Sequence, residues 1–96
     1  MKVLLSDKAS GDLLRIYCYI AERNPAAAEA LVQRIDQKFD QLSELPFIGR
    51  ERSSLAPGLR SVIVGNHLIF YTVGLEAITI VRVIDGRMDI DAEFRR

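Results

Sequence analysis

The sequence contains one cysteine, Cys18, and no tryptophan. A single thiol cannot form an internal disulfide, and this cysteine usage is typical of proteins in a reducing compartment. No apolar run approaches the roughly 18 residues that a transmembrane helix needs. The segment that begins at Met1 has too short an apolar stretch for a signal peptide. These absences predict a cytoplasmic protein that crosses no membrane.

The chain also lacks net charge, because 13 basic residues balance 13 acidic ones. Proteins whose main task is to hold nucleic-acid phosphates are usually clearly basic. We therefore expect no direct nucleic-acid binding by this chain alone. Residues 46–96 nevertheless contain seven arginines and no lysine. Arginine suits planar, bidentate contacts better than lysine does.

A β-hairpin is predicted over residues 59–73, which are rich in β-branched and aromatic side chains and are interrupted once by Gly65-Asn66. Gly65 is placed where the backbone needs a positive φ, which only glycine adopts without steric cost. A two-residue loop at this point pairs Val64 with His67 and Ile63 with Leu68. This register determines which side chains share a face of the hairpin.

The two faces of the predicted hairpin differ in character. One face is predicted to join the core, and it carries Ser61, Ile63, Leu68 and Phe70. The other face mixes apolar and polar side chains, and it carries Arg60, Val62, Val64, His67, Ile69 and Tyr71. We expect the functional residues to lie on this mixed face.

Two helices precede the hairpin. Apolar residues recur at three- and four-residue spacing from Ala9 to Ile20, which predicts a helix that ends near Arg23. Asn24-Pro25 then supplies an N-cap and a proline at the first helical position, which predicts a second helix that runs to about Glu44. The very short connection predicts an antiparallel helical hairpin.

A strand at Lys2–Leu5 and a final β-branched run at residues 77–84 complete the pattern. The order β-α-α-β-β-β predicts one α+β domain over residues 1–96, with the helical hairpin on one face of a mainly antiparallel sheet of three to four strands.

Two helices cover only one face of a sheet, whereas both faces of the predicted sheet are apolar. The surface expected to remain uncovered contains Val62, Ile69, Ile78 and Ile80 beside arginines, which is too apolar to stay bare in a soluble monomer. Two alternatives remain open. Either residues 47–58 and the C-terminal tail fold over this surface, or a partner chain covers it.

Several short motifs occur along the chain in a characteristic order. They are Asp12-Leu13, Asn24-Pro25-Ala26-Ala27-Ala28, Gly49-Arg50-Glu51-Arg52, Pro57-Gly58-Leu59-Arg60-Ser61, and Val81-Arg82-Val83-Ile84-Asp85-Gly86-Arg87-Met88-Asp89-Ile90. In this order and spacing the chain resembles the RelE/ParE toxin superfamily of bacterial type II toxin–antitoxin modules, and within it the ParE branch. The resemblance covers nearly the whole chain and implies the same fold. It also implies a toxin that a cognate ParD-like antitoxin neutralises.

The two branches of this superfamily have different targets. The ParE branch is associated with poisoning of DNA gyrase, and the RelE branch with cleavage of mRNA on the ribosome. RelE-type toxins usually place a His or Tyr after the last strand to act on the phosphate, and this chain has Asp85-Gly86-Arg87-Met88-Asp89 there. His67, the only imidazole, would be the obvious general base of a nuclease, but the sequence shows no partner for it. We therefore expect binding to gyrase and not catalysis, with a ribosome-dependent mRNA endoribonuclease as the alternative.

The resemblance also suggests contact residues. Arg60 and Arg82 fall where RelE-type enzymes keep sheet arginines that hold phosphate, which the family pattern places on one side of the sheet. The predicted contacts to antitoxin or target are Arg50, Arg52, Arg60, Val62, Ile69, Tyr71, Arg82, Arg87, Met88 and Asp89. The tail after Gly86 is expected to serve the target surface without being needed for the fold. The sequence has no metal-ligand cluster, glycine-rich phosphate loop or nucleophile–base pattern, so it predicts no metal, cofactor or catalytic residue.

Overall fold

The computed structural model describes residues 1–95. Its elements are β1 (Lys2–Leu5), α1 (Asp7–Arg23), α2 (Pro25–Glu44), β2 (Arg50–Glu51), β3 (Arg60–Val64), β4 (His67–Val73), β5 (Ala77–Asp85) and α3 (Ile90–Arg95). The strands form one sheet in the order β1-β5-β4-β3-β2, in which β1 runs parallel to β5 and the other neighbours are antiparallel. The predicted α+β class is confirmed. The sheet has five strands and not three to four, because β2 adds a short strand beside β3, and α3 is a further addition. Arg96, the end of the predicted tail, lies outside the described residues.

Local sequence signals explain where both long helices begin. The Ser6 hydroxyl accepts a hydrogen bond from the backbone N–H of Ala9 at 3.0 Å and thereby caps α1. The Asn24 side chain caps α2 in the same way, because its oxygen accepts from the N–H of Ala27 at 3.1 Å. Between residues 1 and 95, none of the helices has the length and apolar character needed to cross a bilayer.

The predicted hairpin is confirmed in its turn and in its register. Gly65 has a φ of 59° and no non-glycine residue among the described ones has a positive φ, which matches a type II′ turn with glycine first. Val64 pairs with His67 and Ile63 with Leu68, as predicted.

The prediction of which face packs under the helices is wrong. The helical hairpin covers the face that carries Val62, Val64, Ile69 and Tyr71, and Ile69 and Tyr71 are fully buried there. Arg60 and His67, the polar residues that suggested an outer face, are the first residues of β3 and β4. Because both residues lie at strand ends, the central positions of this face remain apolar.

The opposite face has its own smaller core. Leu59, Phe70 and Ile84 are buried on it. The loop before β3 contributes Leu55 and Ala56, and α3 contributes Ile90 and Phe94. The rings of Phe70 and Phe94 meet edge to face with centroids 4.7 Å apart. The surface of Val62, Ile69, Ile78 and Ile80, which the sequence predicted to lie away from the helices, is instead covered by them. On the face that the helices leave open, the loop and the tail fold over the sheet.

Candidate functional site

Arg82 lies where β5 becomes an edge strand. β1 pairs only with Ala77–Ile80, so within residues 1–95 the second half of β5 has no strand beside it on that border. Asp12, on α1, occupies this border with its side chain 3% exposed. It accepts hydrogen bonds from the backbone N–H of Val83 at 2.9 Å and from Nε and Nη2 of Arg82 at 2.8 and 3.1 Å. A buried carboxylate needs hydrogen-bond donors to compensate for the loss of water. The hydrogen bond between Asp12 and Arg82 raises the pKa of the Arg82 guanidinium.

Two further charged residues meet this buried pair. Glu93 of α3 is buried, with its Oε1 3.9 Å from Nη2 of Arg82. Arg15 of α1 reaches the outer side of the Asp12 carboxylate and remains largely exposed. Arg82 and Asp12 therefore tie β5, α1 and α3 together. The charge of Arg82 is balanced within the protein.

Arg60 holds a different part of the chain. Its Nη1 donates to the carbonyl oxygens of Gly49 at 2.8 Å and Phe47 at 3.2 Å, and its Nη2 lies 3.3 Å from Oε1 of Glu51. Arg60 therefore fixes the segment that links α2 to β3. Arg60 contacts this segment, whereas Arg82 contacts α1 and α3, so the structure does not bring the two predicted sheet arginines into one site.

Tyr71 anchors the same linking segment from beneath the helices. Its hydroxyl accepts from the N–H of Gly49 at 2.9 Å and donates to the carbonyl of Pro46 at 2.8 Å. A side chain at Gly49 would collide with the Tyr71 ring, because a Cβ there would lie 2.7 Å from its Cε1. Burial raises the pKa of the Tyr71 hydroxyl. This phenol therefore has a structural task.

Two predicted contact residues are buried in the free chain, and a third is half-buried. Ile69 and Tyr71 are 0% exposed beneath the helices. Val62 is half-buried and packs against the same core. The prediction that this apolar face is open to an antitoxin or a target is wrong, because the helical hairpin packs against this face.

The predicted loop arginines are arranged differently from each other. Arg52 donates from Nε to the buried Ser61 hydroxyl at 2.9 Å, and its guanidinium lies 5.7 Å from the centre of the Phe70 ring. Arg50 is exposed in β2, at the outer border of the sheet. Of these two, only Arg50 is well placed to contact a partner.

The predicted tail residues are largely accessible. The side chain of Arg87 is 85% exposed and donates to both oxygens of Asp85, at 3.0 Å from Nε and 2.7 Å from Nη2. Met88 is 48% exposed. Asp89 also has a structural task, because its Oδ1 accepts from the N–H of Ala92 at 3.2 Å in the first turn of α3.

His67 lies opposite Asp85 in the pairing of β4 with β5. Asp85 is therefore a neighbour of His67 that was not predicted from the sequence. Burial lowers the pKa of His67, and Arg87 adds to this effect while Asp85 opposes it. Hydrogen bonds from Arg87 hold the pKa of Asp85 far below its usual range. Nδ1 of His67 is buried without a hydrogen-bond partner in residues 1–95, so the neutral imidazole is favoured.

An apolar groove lies along the helical hairpin. It has a volume of about 370 Å³. Its apolar walls are formed by Leu5, Leu13, Leu14, Ile16, Leu31, Val32, Ile35 and Phe39. Leu14 remains 65% exposed and Val32 36% exposed. Large apolar side chains that stay exposed beside a groove are typical of an interaction surface.

Asp12 and Leu14 were not among the site residues predicted from the sequence. Asp12 comes three residues after the buried Ala9 and next to Leu13, so it falls on the apolar face of α1. A carboxylate at such a position indicates a buried partner. Leu14 lies beside the regular apolar stripe, and a large apolar residue there was the signal for the groove.

The geometry defines a class of protein: a small α+β domain in which a helical hairpin covers one face of a mainly antiparallel sheet, with an apolar groove along the hairpin and exposed Arg87 and Met88 after the last strand. Residues 3–90 match the family model described as the ParE toxin of the type II toxin–antitoxin system parDE. The chain belongs to this family.

Similar toxins match this chain over almost its full length. The chain is 38% identical over 93 residues to Toxin ParE3 of Caulobacter vibrioides, covering 96% of this chain and 93% of that protein. It is 34% identical over 92 residues to Toxin ParE1 of Mycobacterium tuberculosis, covering 94% of each. It also matches a solved structure, described as the chromosomal ParDE TA system from P. aeruginosa, with a TM-score of 0.74 and 26% identity over 88% of this chain and 95% of that one.

Proposed function

We propose that this ParE-family toxin arrests bacterial growth in the cytoplasm by binding DNA gyrase and blocking replication, and that a cognate ParD-like antitoxin neutralises it. The single observation that carries this proposal is that both sheet arginines are occupied by the protein itself. Arg82 is bound to the buried Asp12, and Arg60 is bound to backbone carbonyls of the α2–β3 segment.

A metal-free ribonuclease needs a general base, a general acid and cations that are free to stabilise the phosphate. Arg82 would have to give up its buried carboxylate to serve a phosphate, and removing one partner of a buried pair is costly. His67 meets Asp85 at the turn end of the sheet, and its Nδ1 is buried. These features favour a binding surface over phosphate chemistry.

The gyrase proposal is tested by expressing this chain alone in bacteria. We expect growth to stop, cells to filament and a DNA-damage response to appear while mRNA stays intact. Purified chain should inhibit supercoiling by purified gyrase, and addition of the antitoxin should restore it. Rapid codon-specific mRNA cleavage on purified ribosomes, lost in His67→Ala, would instead establish the ribonuclease alternative.

The antitoxin is proposed to dock on the apolar groove of the helical hairpin. Amphipathic helices bind such grooves with their apolar faces, and segments that are disordered when free gain order on binding. Leu14 and Val32 offer exposed apolar surface at the groove. This replaces the sheet face that the sequence suggested, since the helices already cover that face.

Antitoxin docking is tested with one substitution in the groove and one outside it. Leu14→Glu places a charge on the apolar surface and should weaken antitoxin binding by about 30-fold or more, as expected for a hot-spot residue. Leu75→Glu is the matched control, because Leu75 is 99% exposed between β4 and β5. Calorimetric titration gives both affinities. Equal affinities of the two variants would place the antitoxin elsewhere.

A further inference from the structure

The outer border of the sheet at β3 is only partly covered. β2 pairs with Arg60 and Ser61, and within residues 1–95 no strand pairs with the rest of β3 on that side. The N–H of Arg52 donates to the carbonyl of Leu59, and the register pairs Arg50 with Ser61. Since outward-facing residues alternate along an antiparallel strand, the backbone N–H and C=O of Ile63 face outward. Its side chain is 67% exposed.

The surface beside this border is cationic. Helix α2 runs along it, and the two together line an open groove of about 480 Å³. The lining residues are Arg34, Gln37, Lys38, Gln41, Ile63 and Val64, which include two cations and no carboxylate. The Arg34 guanidinium reaches the β3–β4 turn, where its Nη1 lies 3.3 Å from the position of a Cβ at Gly65.

A free border with an exposed apolar residue is unusual in a soluble protein. Edge strands are normally blocked by charged residues, proline or bulges, because an unpaired row of backbone groups invites pairing with another chain. Here the free stretch carries Val62, Ile63 and Val64, and the nearby charges are on the helix. This arrangement leaves the backbone of β3 accessible and places positive charge beside any chain that binds there.

We propose that the border of β3 binds an extended acidic segment of a partner chain by β-strand addition. The backbone of the segment pairs with Ile63, which supplies affinity through main-chain hydrogen bonds. Successive side chains of a strand point to opposite faces. Acidic side chains on one face therefore meet Arg34 and Lys38, and apolar side chains on the other face pack beside Ile63. This surface is separate from the groove of the helical hairpin, and the proposal does not depend on gyrase as the target.

The test uses the full chain, labelled with ¹⁵N, and a synthetic eight-residue peptide of alternating glutamate and valine. The control peptide has lysine in place of glutamate. We expect the glutamate peptide to shift the amide signal of Ile63 and to slow its hydrogen exchange, and the lysine peptide to do neither. Absence of any shift at Ile63, or equal binding of both peptides, would overturn the proposal.

Two pairs of variants separate backbone pairing from charge. Ile63→Pro removes the outward N–H and leaves the β3–β4 hydrogen bonds in place, since proline is tolerated on edge strands. It should weaken peptide binding roughly tenfold, whereas Ile63→Thr, which keeps the N–H, should not. Arg34→Glu should abolish the preference for the glutamate peptide, and Lys8→Glu, at an exposed cation of α1, should preserve it.

Three results would contradict the proposed occupant. Ile63→Pro could bind as tightly as Ile63→Thr with the β4 amide signals unchanged, which would exclude strand addition. Arg34→Glu could behave like Lys8→Glu, which would exclude an acidic segment. An Ile63 signal that moves with protein concentration in the absence of peptide would assign this border to a second copy of the chain.

Discussion

Asp12 accepts hydrogen bonds from the Arg82 guanidinium and from the Val83 backbone while its side chain is almost fully buried. One carboxylate thereby closes the free border of β5 and neutralises the arginine that reaches toward α3. Arg82 is for this reason a positioning residue in this chain. The accessible tail residue Arg87 is better placed to contact a target.

Loss of the Asp12 carboxylate should be costly. Asp12→Ala leaves the buried Arg82 charge and the Val83 N–H without their acceptor, so we expect it to lower the free energy of unfolding by about 3–5 kcal/mol. Arg15→Ala removes the exposed partner of the same carboxylate and should cost at most about 1 kcal/mol. Urea unfolding followed by circular dichroism measures both values. Similar losses for the two variants would show that the buried pair of Asp12 and Arg82 contributes no more to the free energy of unfolding than the exposed pair of Asp12 and Arg15.

His67 should make stability depend on pH. Burial lowers its pKa in the folded state, so the unfolded state takes up the proton more readily and stability falls as the pH drops below about 6.5. We expect His67→Gln to show a smaller loss than the wild type between pH 7.5 and 5.5. The lowered pKa of Asp85 stabilises the fold above about pH 4 and adds its own loss only below that, outside this window. Urea midpoints across the pH range measure the difference, and identical pH profiles for both proteins would refute it.

At the scale of elements, the two helices of the hairpin contain leucines in different environments. Leu42 of α2 is 0% exposed in the main core, whereas Leu14 of α1 is 65% exposed at the groove. The same residue type therefore serves packing in one helix and is available to a partner in the other.

This difference predicts unequal responses to truncation. Leu42→Ala should cost about 2–5 kcal/mol, because it removes buried methyl groups and leaves a cavity. Leu14→Ala should change the free energy of unfolding by no more than about 0.5 kcal/mol, as is usual at exposed positions. Thermal and urea unfolding of the two variants test the assignment. A large loss from Leu14→Ala would mean that this residue belongs to the core.

At the scale of the whole molecule, the sheet is enclosed from both sides. The helical hairpin covers one face, and the loop before β3 together with α3 covers the other. The C-terminal helix contributes Phe94, which packs on Phe70, and Glu93, which lies beside Arg82. The structure therefore argues against the expectation that the tail after Gly86 is dispensable for the fold.

Truncation after Gly86 should destabilise the protein and promote self-association, because it uncovers Phe70 and Ile84. Phe94→Ala, a milder change of the same contact, should cost about 1–3 kcal/mol. Met88→Ala, at an exposed tail position, is the control and should be nearly neutral. Unfolding measurements and analytical ultracentrifugation test these expectations. A truncated chain that remains monomeric and equally stable would show that α3 is peripheral to the fold.

Much of the local structure could be predicted from short stretches of sequence. Asn24-Pro25 indicates the start of α2, and Gly65-Asn66 indicates both the turn and the register of the hairpin. Caps, positive φ angles and apolar spacing depend on neighbouring residues, so these signals are complete within a few positions. The order of the motifs along the chain indicated the ParE branch, and the match to the ParE toxin family model agrees with this resemblance.

The assignment of faces could not be predicted in the same way. Val62 and Ile69 on one side of the hairpin are about as apolar as Leu68 and Phe70 on the other, so hydrophobicity alone does not choose which side the helices cover. The exposure of the predicted contact residues followed from this choice. Ile69 and Tyr71 became core residues, whereas Arg87 and Met88 remained accessible.

The sequence by itself determined the two long helices, the strands β1, β3, β4 and β5, their order and the hairpin register, because each depends on interactions between residues close in the chain. The tertiary structure alone decided which face is buried and which arginines are occupied. Those outcomes depend on contacts between distant residues, such as Asp12 with Arg82, 70 positions apart, and the Ser6 hydroxyl with the Val81 carbonyl, 75 positions apart. Such contacts exist only after α1 has packed against β5, so the sequence around Asp12 can indicate that a buried partner exists but cannot identify it.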